Sequence, residues 1–245
     1  MSYLIVGASS GLGRELAYIF AENKKDLILL ARDDRDLSSI KSDLQERFDV
    51  KIDTISLDFS QIDEIQKKLF SQINLDHLEG LLFPVGLMFE EDYSNSDINT
   101  LKKIVFTNFL SICFTSSQFI KLYKNKKFLI VGFGSVSGIL GRKINTSYAA
   151  SKRALESFFE SLFFDNINSQ IKVHFYTLGY LNTNLAFGKK LKLPKADVKP
   201  LANLVFKNKD YKFIKRHFPY YWSIVSLFLK IIPIKILLKF SSLLK

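Results

Sequence analysis

The chain opens with the stretch Ser2-Tyr3-Leu4-Ile5-Val6-Gly7-Ala8-Ser9-Ser10-Gly11-Leu12-Gly13. Its apolar beginning predicts a buried strand, and its glycines predict a tight turn. The apolar residues that follow at helical spacing predict a helix. Glycines let a backbone approach a pyrophosphate closely, and the N–H groups that open a helix favour that group's negative charge. The stretch therefore predicts the first strand, turn and helix of a nucleotide-binding α/β fold.

The same order of elements repeats along the chain. Further buried strands are predicted at 26–31, 51–57, 81–83, 127–133 and 171–177, with helical patterns between them. Strands that alternate with helices specify a doubly wound parallel sheet, Rossmann-like, with helices on both faces. Ligand sites in such sheets lie beyond the carboxyl ends of the strands. We therefore expect the functional residues in the turns that follow the strands.

Four polar residues are the candidates for chemistry. Tyr148 and Lys152 lie four residues apart in a predicted helix, so both side chains leave one face, and a nearby ammonium would lower the pKa of the phenol and allow general acid–base catalysis. Ser135 follows the fifth strand, and Asn108 lies among apolar residues of a long helix at about 101–122. The plain alternatives are that Tyr148 and Lys152 form an exposed pair on a helix, that Ser135 is a hydroxyl in a turn, and that Asn108 is an amide in the core.

Two residues bear on the nucleotide. The second strand ends at Arg32, and no acid stands where a carboxylate would accept hydrogen bonds from the adenosine ribose. An arginine there suits a 2′-phosphate, although a solvated arginine at a strand end is the alternative. Asp58 closes the third strand, and it could accept from the adenine amino group or cap a helix.

Taken together, these motifs resemble the short-chain dehydrogenase/reductase family over roughly the first three quarters of the chain. The matching features are Gly7-x-x-x-Gly11-x-Gly13, a serine thirteen residues before the tyrosine, Tyr148-x-x-x-Lys152, and a turn, Leu178 to Thr183, similar to the family's Pro-Gly-x-x-x-Thr. The resemblance implies that Tyr148 protonates a carbonyl oxygen as hydride arrives. It also implies that Lys152 lowers the pKa of Tyr148, that Ser135 polarises the carbonyl and that Asn108 holds a water beside the lysine.

The resemblance further implies NADP(H) as the cofactor. The residues it places against NADP(H) are Gly7, Ser9, Ser10, Gly11, Leu12, Gly13, Arg32, Asp58, Phe59, Val85, Gly86, Tyr148, Lys152, Gly179, Leu181 and Thr183. The chain departs from the family pattern twice. Phe83-Pro84-Val85-Gly86 stands where the family usually has Asn-Asn-Ala-Gly, and Leu178 replaces a proline. Both departures concern the cofactor's fit rather than the groups that transfer protons.

Length and composition set the domain organisation. The 245 residues, 47% of them hydrophobic, suit one domain, predicted at 1–215, with a C-terminal helical extension at 216–245. The lone Cys113 excludes a disulfide framework, and the N-terminus enters a strand without a signal sequence. We therefore expect a cytoplasmic protein.

The net charge of +11 lies at the C-terminal end. From Lys189 onward, 13 Lys and one Arg stand against Asp197 and Asp210, a balance of +12, which leaves −1 for the residues before. The predicted substrate loop at 184–198 holds Lys189, Lys190, Lys192 and Lys195. This charge predicts an anionic substrate or partner.

The C-terminal extension has short apolar stretches that are interrupted by lysines and Pro233. It is too broken to span a bilayer, but its amphipathic pattern and its Tyr220-Tyr221-Trp222 cluster favour peripheral contact with an anionic membrane, on the inner face. Packing against the domain or against the second subunit of a homodimer is the alternative. The aromatic cluster and the helices after it also resemble the tail of family members that reduce polyprenyl-phosphate-linked keto sugars.

The sequence thus predicts an NADPH-dependent oxidoreductase that reduces a ketone, with Tyr148 as general acid, on a small anionic carbonyl compound such as a lipid- or nucleotide-linked keto sugar. A 3-oxoacyl-type reductase, a non-catalytic protein of the same fold that senses NADP(H), and a carbohydrate epimerase stay open as alternatives. Neither a metal site nor a nucleic-acid partner is predicted.

Overall fold

A computed structural model describes residues 2–70, 77–90, 92–183, 194–233 and 235–236. Within these residues seven strands form one sheet in the order β3-β2-β1-β4-β5-β6-β7, and every neighbouring pair is parallel. The strands are β1 Ser2–Val6, β2 Asp26–Ala31, β3 Ile52–Ser56, β4 Leu78–Phe83, β5 Phe128–Ser135, β6 Ile171–Leu178 and β7 Phe213–Phe218. The predicted doubly wound α/β fold is confirmed.

Helices cover both faces of this sheet, as the strand sequences require. Successive residues of a strand point to opposite faces, and in β1 Tyr3 and Ile5 join one buried cluster while Leu4 and Val6 join the other. Both clusters are apolar, so the strands read as continuous hydrophobic runs, which is typical of parallel sheets. The core therefore consists of two layers, one on each side of the sheet.

The helices are α1 Gly11–Glu22, α2 Asp34–Arg47, α3 Ile62–Glu64, α4 Ile98–Val105, α5 Ser111–Leu122, α6 Thr146–Asp165, α7 Val198–Asn208 and α8 Tyr221–Ile231. The first layer holds α1, α2 and α7, and the second holds α5 and α6. One π-type turn, Ile65–Leu69, follows α3, and another, Phe106–Leu110, joins α4 to α5 in the long helix that the sequence predicts. Such turns often mark functional positions, and the second one contains Asn108.

The close approach of α6 to the sheet depends on a glycine. A Cβ on Gly132 of β5 would lie 2.4 Å from Cζ of Phe159, so only a residue without a side chain lets this ring pack on the strand. The two elements are thereby fixed against each other, and α6 carries Tyr148 and Lys152.

The structure describes the C-terminal part up to Pro233, with Lys235 and Ile236 beyond. Within the described residues the last strand is β7, and it crosses the predicted domain boundary at 215/216. The division into 1–215 and 216–245 stays a prediction. Of the lysines in the predicted substrate loop, Lys195 is described, whereas Lys189, Lys190 and Lys192 lie outside the described residues. Most of the C-terminal extension after Pro233 lies outside them as well.

The prediction that Trp222 anchors at a membrane surface is wrong in this structure. Its indole is buried against Gly179, where an added Cβ would lie 2.0 Å from Nε1, and it meets the ring of Tyr180 edge-on at 5.4 Å between centroids. The large aromatic surface of a tryptophan gains more from burial in a preformed gap than from exposure. Of the aromatic cluster only Tyr220 is largely exposed, and Tyr221 donates its hydroxyl to the Pro194 carbonyl at 3.2 Å. Within the described residues, each helix is too short or too polar to cross a bilayer.

Candidate active site

A cleft of about 980 Å³ opens at the carboxyl edge of the sheet. The strand order reverses between β1 and β4, because β2 and β3 lie on one side of β1 and β4 to β7 lie on the other. Such switch points leave a crevice between neighbouring crossover connections. The four candidate catalytic residues and the residues predicted to contact NADP(H) all line this cleft except Gly13 and Asn108. Residues that are spread from Gly7 to Thr183 in the sequence therefore meet at one place.

The glycine turn shapes one end of the cleft. Gly7 has a positive φ of 89°, and a Cβ on it would lie 2.9 Å from Cα of Val85. A Cβ on Gly13 would lie 2.0 Å from the carbonyl oxygen of Gly7, so this glycine lets the start of α1 press against the turn. Among the described residues no side chain caps α1, and no acid stands in its first turn. Its first N–H groups are thus left for an anion, which fits the pyrophosphate of a dinucleotide.

The neighbouring strand ends supply the predicted adenosine contacts. Arg32 is exposed and lines the cleft beyond β2. Asp33, the adjacent carboxylate, is occupied as the cap of α2, because its Oδ1 accepts from the backbone N–H of Arg35 at 2.9 Å and of Asp36 at 3.4 Å. Asp58 accepts from both the N–H and the hydroxyl of Ser60 at 2.9 and 2.8 Å. It therefore stabilises its own turn and does not cap a helix.

The polar cluster at the centre of the cleft comes from β5 and α6. Tyr148 forms a side-chain hydrogen bond with Ser135, whose hydroxyl also accepts from the N–H of Ser137 at 3.1 Å. Lys152 is only 4% exposed, and its ammonium donates to the carbonyl oxygen of Phe133 at 3.0 Å. It lies 6.0 Å from the centroid of the Tyr148 ring. A phenol, a hydroxyl and an ammonium thus converge from two elements that pack tightly together.

Asn108 is fully buried beside this cluster. Its Oδ1 accepts from the N–H of Leu87 at 2.7 Å, and its Nδ2 donates to the carbonyl of Leu87 at 2.8 Å and to the hydroxyl of Ser151 at 3.3 Å. A buried amide needs such partners. The side chain therefore ties the loop after β4 to α6, one residue from Lys152. The water that the resemblance assigns to Asn108 stays a prediction.

The departures from the family pattern have a visible consequence. Phe83 is fully buried and its ring lies 6.1 Å from that of Phe59, so apolar packing occupies the position where an asparagine would join neighbouring strands. Gly86 keeps room at the centre of the site, since a Cβ there would lie 3.7 Å from Nζ of Lys152.

A sequence model of the family described as short chain dehydrogenase matches residues 2–192. The chain belongs to the short-chain dehydrogenase family. Among curated relatives it is 27% identical over 210 residues to a very-long-chain 3-oxoacyl-CoA reductase of Rattus norvegicus, covering 84% of this chain and 66% of that protein. It is 28% identical over 230 residues to hydroxysteroid 11-beta-dehydrogenase 1-like protein A of Xenopus laevis, covering 90% of this chain and 78% of the relative.

The fold of this short-chain dehydrogenase also matches solved structures. A short-chain dehydrogenase from Sphingobium yanoikuyae in complex with NADPH superimposes with a TM-score of 0.78 at 20% identity, covering 91% of each chain. The chain spans about two thirds of the rat relative's length, and it covers 52% of a very-long-chain 3-oxoacyl-CoA reductase of Mus musculus. At these identities the structural likeness is one of fold.

The charge states in the site differ from the sequence-based prediction. Burial raises the pKa of Tyr148, and the hydrogen bond from Ser135 and the charge of Arg142 only partly oppose this. Burial also lowers the pKa of Lys152 to about 8. The predicted lowering of the tyrosine pKa by Lys152 is therefore not what this structure gives, because desolvation acts on both groups. The phenol stays protonated at neutral pH, which is the form that a general acid requires.

One residue of the site escapes sequence reasoning altogether. Asp92 is fully buried, and its two carboxylate oxygens accept from the backbone N–H groups of Ser147 and Tyr148 at 2.9 and 2.8 Å. Its carbonyl oxygen accepts from the N–H of Thr146 at 3.2 Å. The N-cap residue of α6, Asn145, has a left-handed φ of 58° and no side-chain cap. Asp92 thus caps the helix of Tyr148 from 55 residues away, and no local capping pattern marks it.

We predict that Asp92→Ala lowers the free energy of unfolding by about 2 kcal/mol, because two buried N–H groups lose their acceptors. We expect kcat to fall about tenfold or more, since the cap fixes the turn that carries Tyr148. Asp92→Asn keeps one acceptor and should recover part of both losses. Unfolding by denaturant and steady-state kinetics measure the two effects.

The control for this prediction is Asp97→Ala. Asp97 caps α4 in the same way, accepting from Asn99 and Thr100 at 2.8 and 3.1 Å, but α4 does not carry Tyr148 or Lys152. This variant should lose stability and keep kcat. A kcat of Asp92→Ala equal to that of Asp97→Ala would contradict a positioning role.

A second prediction concerns the pH dependence of stability. The pKa of Lys152 is about 8 in the folded chain, against an ordinary value near 10.4. Between these values the unfolded chain binds the proton and the folded chain does not, so stability rises with pH. The free energy of unfolding of the wild type minus that of Lys152→Met should therefore increase by about 3 kcal/mol from pH ~7 to pH ~10.5. Lys102→Met, at an exposed position, should follow the wild type. If the difference in the free energy of unfolding between the wild type and Lys152→Met does not change with pH, this prediction is contradicted.

Proposed function

We propose that this short-chain dehydrogenase reduces a ketone with NADPH. The observation that carries the proposal is the cluster of Ser135, Tyr148 and Lys152, which lies in the same cleft as the uncapped start of α1. A proton donor and a site for a dinucleotide are the two components that such a reduction needs.

The proposed roles follow from the contacts of these side chains. NADPH, when bound, supplies the hydride. Tyr148 gives its proton to the carbonyl oxygen, which removes the developing negative charge, and Ser135 donates a hydrogen bond to the same oxygen. The ammonium of Lys152, held by the Phe133 carbonyl, stabilises the phenolate that remains. Asn108 positions Lys152 through Ser151 and keeps the wall of the cleft in place.

We propose NADPH rather than NADH because of the ends of β2 and α2. Arg32 offers a guanidinium at the rim of the cleft, whereas the adjacent carboxylate, Asp33, caps α2 and does not line the cleft. A charge-assisted hydrogen bond to a 2′-phosphate contributes roughly 1.5–3 kcal/mol. The NADPH that the Sphingobium structure holds is in keeping with this preference.

For the substrate we propose an anionic keto sugar that is linked to a polyprenyl phosphate or a nucleotide. The resemblance of the C-terminal segment to reductases of lipid-linked keto sugars and the +12 balance after Lys189 support this choice. A 3-oxoacyl thioester is the second candidate, because the rat relative is named as a 3-oxoacyl-CoA reductase.

The test is turnover of both substrate classes with NADPH and with NADH. NADPH should bind at least about tenfold more tightly than NADH, and Arg32→Ala should lose this preference. Tyr148→Phe should bind NADPH normally and lose activity by about three orders of magnitude, because it removes only the proton donor. If NADPH binds but no ketone is reduced, the chain is a binding protein of the same fold and the proposal fails.

We further propose that α8 docks the enzyme on an anionic membrane. One face of α8 exposes Ile224, Leu227, Phe228 and Ile231, between 58% and 68% each, at the i, i+3, i+4, i+7 spacing of one helical stripe. The opposite face, with Trp222 and Ser226, is buried on the domain. Lys230 in α8 and Lys235 after it are both exposed. Basic residues near an anionic leaflet contribute up to ~1 kcal/mol each.

The double variant Leu227→Asp, Phe228→Asp should bind anionic vesicles about tenfold or more weakly, because each exposed side chain adds to the apolar area that enters the interface. Salt should weaken wild-type binding. Phe164→Asp is the control, since Phe164 is 77% exposed at the end of α6. Co-sedimentation and analytical ultracentrifugation are the measurements. If the double variant converts a dimer into a monomer and the wild type does not bind vesicles, this face of α8 is a subunit interface.

A further inference from the structure

The loop between β5 and α6 places a second cation beside Tyr148. Arg142 is half-buried, lines the cleft, and donates from Nη1 to the hydroxyl of Ser137 at 2.8 Å. Arg142 and Tyr148 line the same cleft, and the charge of Arg142 lowers the pKa of Tyr148 against the larger effect of burial. Ser137 in turn donates its N–H to Ser135. The arginine is therefore tied to the turn that holds the catalytic hydroxyl.

This guanidinium has no carboxylate partner within the described part of the chain. Ser137 takes one of the five N–H donors that an arginine carries. A cation that is partly removed from water loses hydration, and an anion that completes its hydrogen bonds restores the balance. Lys103 lines the same cleft, and the carboxylate of Glu90 is also part of the lining.

We propose that Arg142, with Lys103, forms a subsite for the phosphate or carboxylate group of the substrate next to its ketone. This inference rests on the proposed function and names the group that the site recognises. The planar fork of an arginine suits the paired oxygens of either anion, and the subsite uses residues other than the lysines of the 184–198 loop.

The subsite also affects the proton donor. An anion on Arg142 offsets the positive charge that lowers the pKa of Tyr148, so the phenol holds its proton more firmly once the anion is bound. An anionic ketone therefore meets Tyr148 in its protonated form over a wider pH range than a neutral ketone does.

The test compares dihydroxyacetone phosphate with dihydroxyacetone, which differ by one phosphate. Binding to the full chain loaded with NADP⁺ is measured by calorimetry, because the oxidised cofactor cannot reduce a ketone, and turnover is measured separately with NADPH. The phosphate should tighten binding to the wild type about tenfold or more. Arg142→Gln should abolish this difference, and Arg142→Lys should keep part of it.

Arg153→Gln is the matched control, because it removes the same charge from an exposed position of α6 outside the cleft lining, and it should keep the full phosphate effect. Thermal unfolding of each variant detects loss of fold. Lys103→Gln provides an independent test, in which the phosphate effect should fall by less than in Arg142→Gln. Equal affinity of the wild type for the two ketones, or an unchanged phosphate effect in Arg142→Gln, would overturn the subsite. If the phosphate effect depends on Arg142 but NADPH reduces neither ketone, the subsite stands and the proposed reductase activity falls.

Discussion

The ammonium of Lys152 lies almost out of contact with solvent and donates to the carbonyl oxygen of Phe133. A buried cation is costly unless its hydrogen bonds are completed. This constraint explains the arrangement around it, because Gly132 must be a glycine for α6 to come close enough to β5. The same approach brings Tyr148 to Ser135. The geometry of the proton donor thus depends on how closely one helix packs on one strand.

The loop after β4 is held to the rest of the site at two points. Asn108 binds both backbone groups of Leu87, and Asp92 binds two N–H groups of α6. Between these points the loop forms part of the cleft wall through Met88, Phe89 and Glu90. Loops position functional groups well only when such contacts fix them. The cleft wall and the proton donor are therefore parts of one hydrogen-bonded unit.

The two ends of the cleft differ in how they present positive charge. At the nucleotide end, backbone N–H groups of α1 and the exposed Arg32 face the cleft, whereas at the centre Lys152 is buried and Arg142 is half-buried. Charges act more strongly where water is excluded. The centre of the cleft thus influences proton affinity, as the shifted pKa values of Tyr148 and Lys152 show.

The sequence by itself determined the fold and predicted residues that the structure brings together in one cleft, because strand periodicity, the glycine turn and the tyrosine–lysine spacing are local patterns that sterics and helix geometry enforce. Tertiary structure alone decided the charge states, since desolvation depends on what packs around Tyr148 and Lys152 and not on their spacing. It also decided the cap from Asp92 and the burial of Trp222 against Gly179. These contacts join residues that are distant in sequence, and a local pattern carries no signal for them.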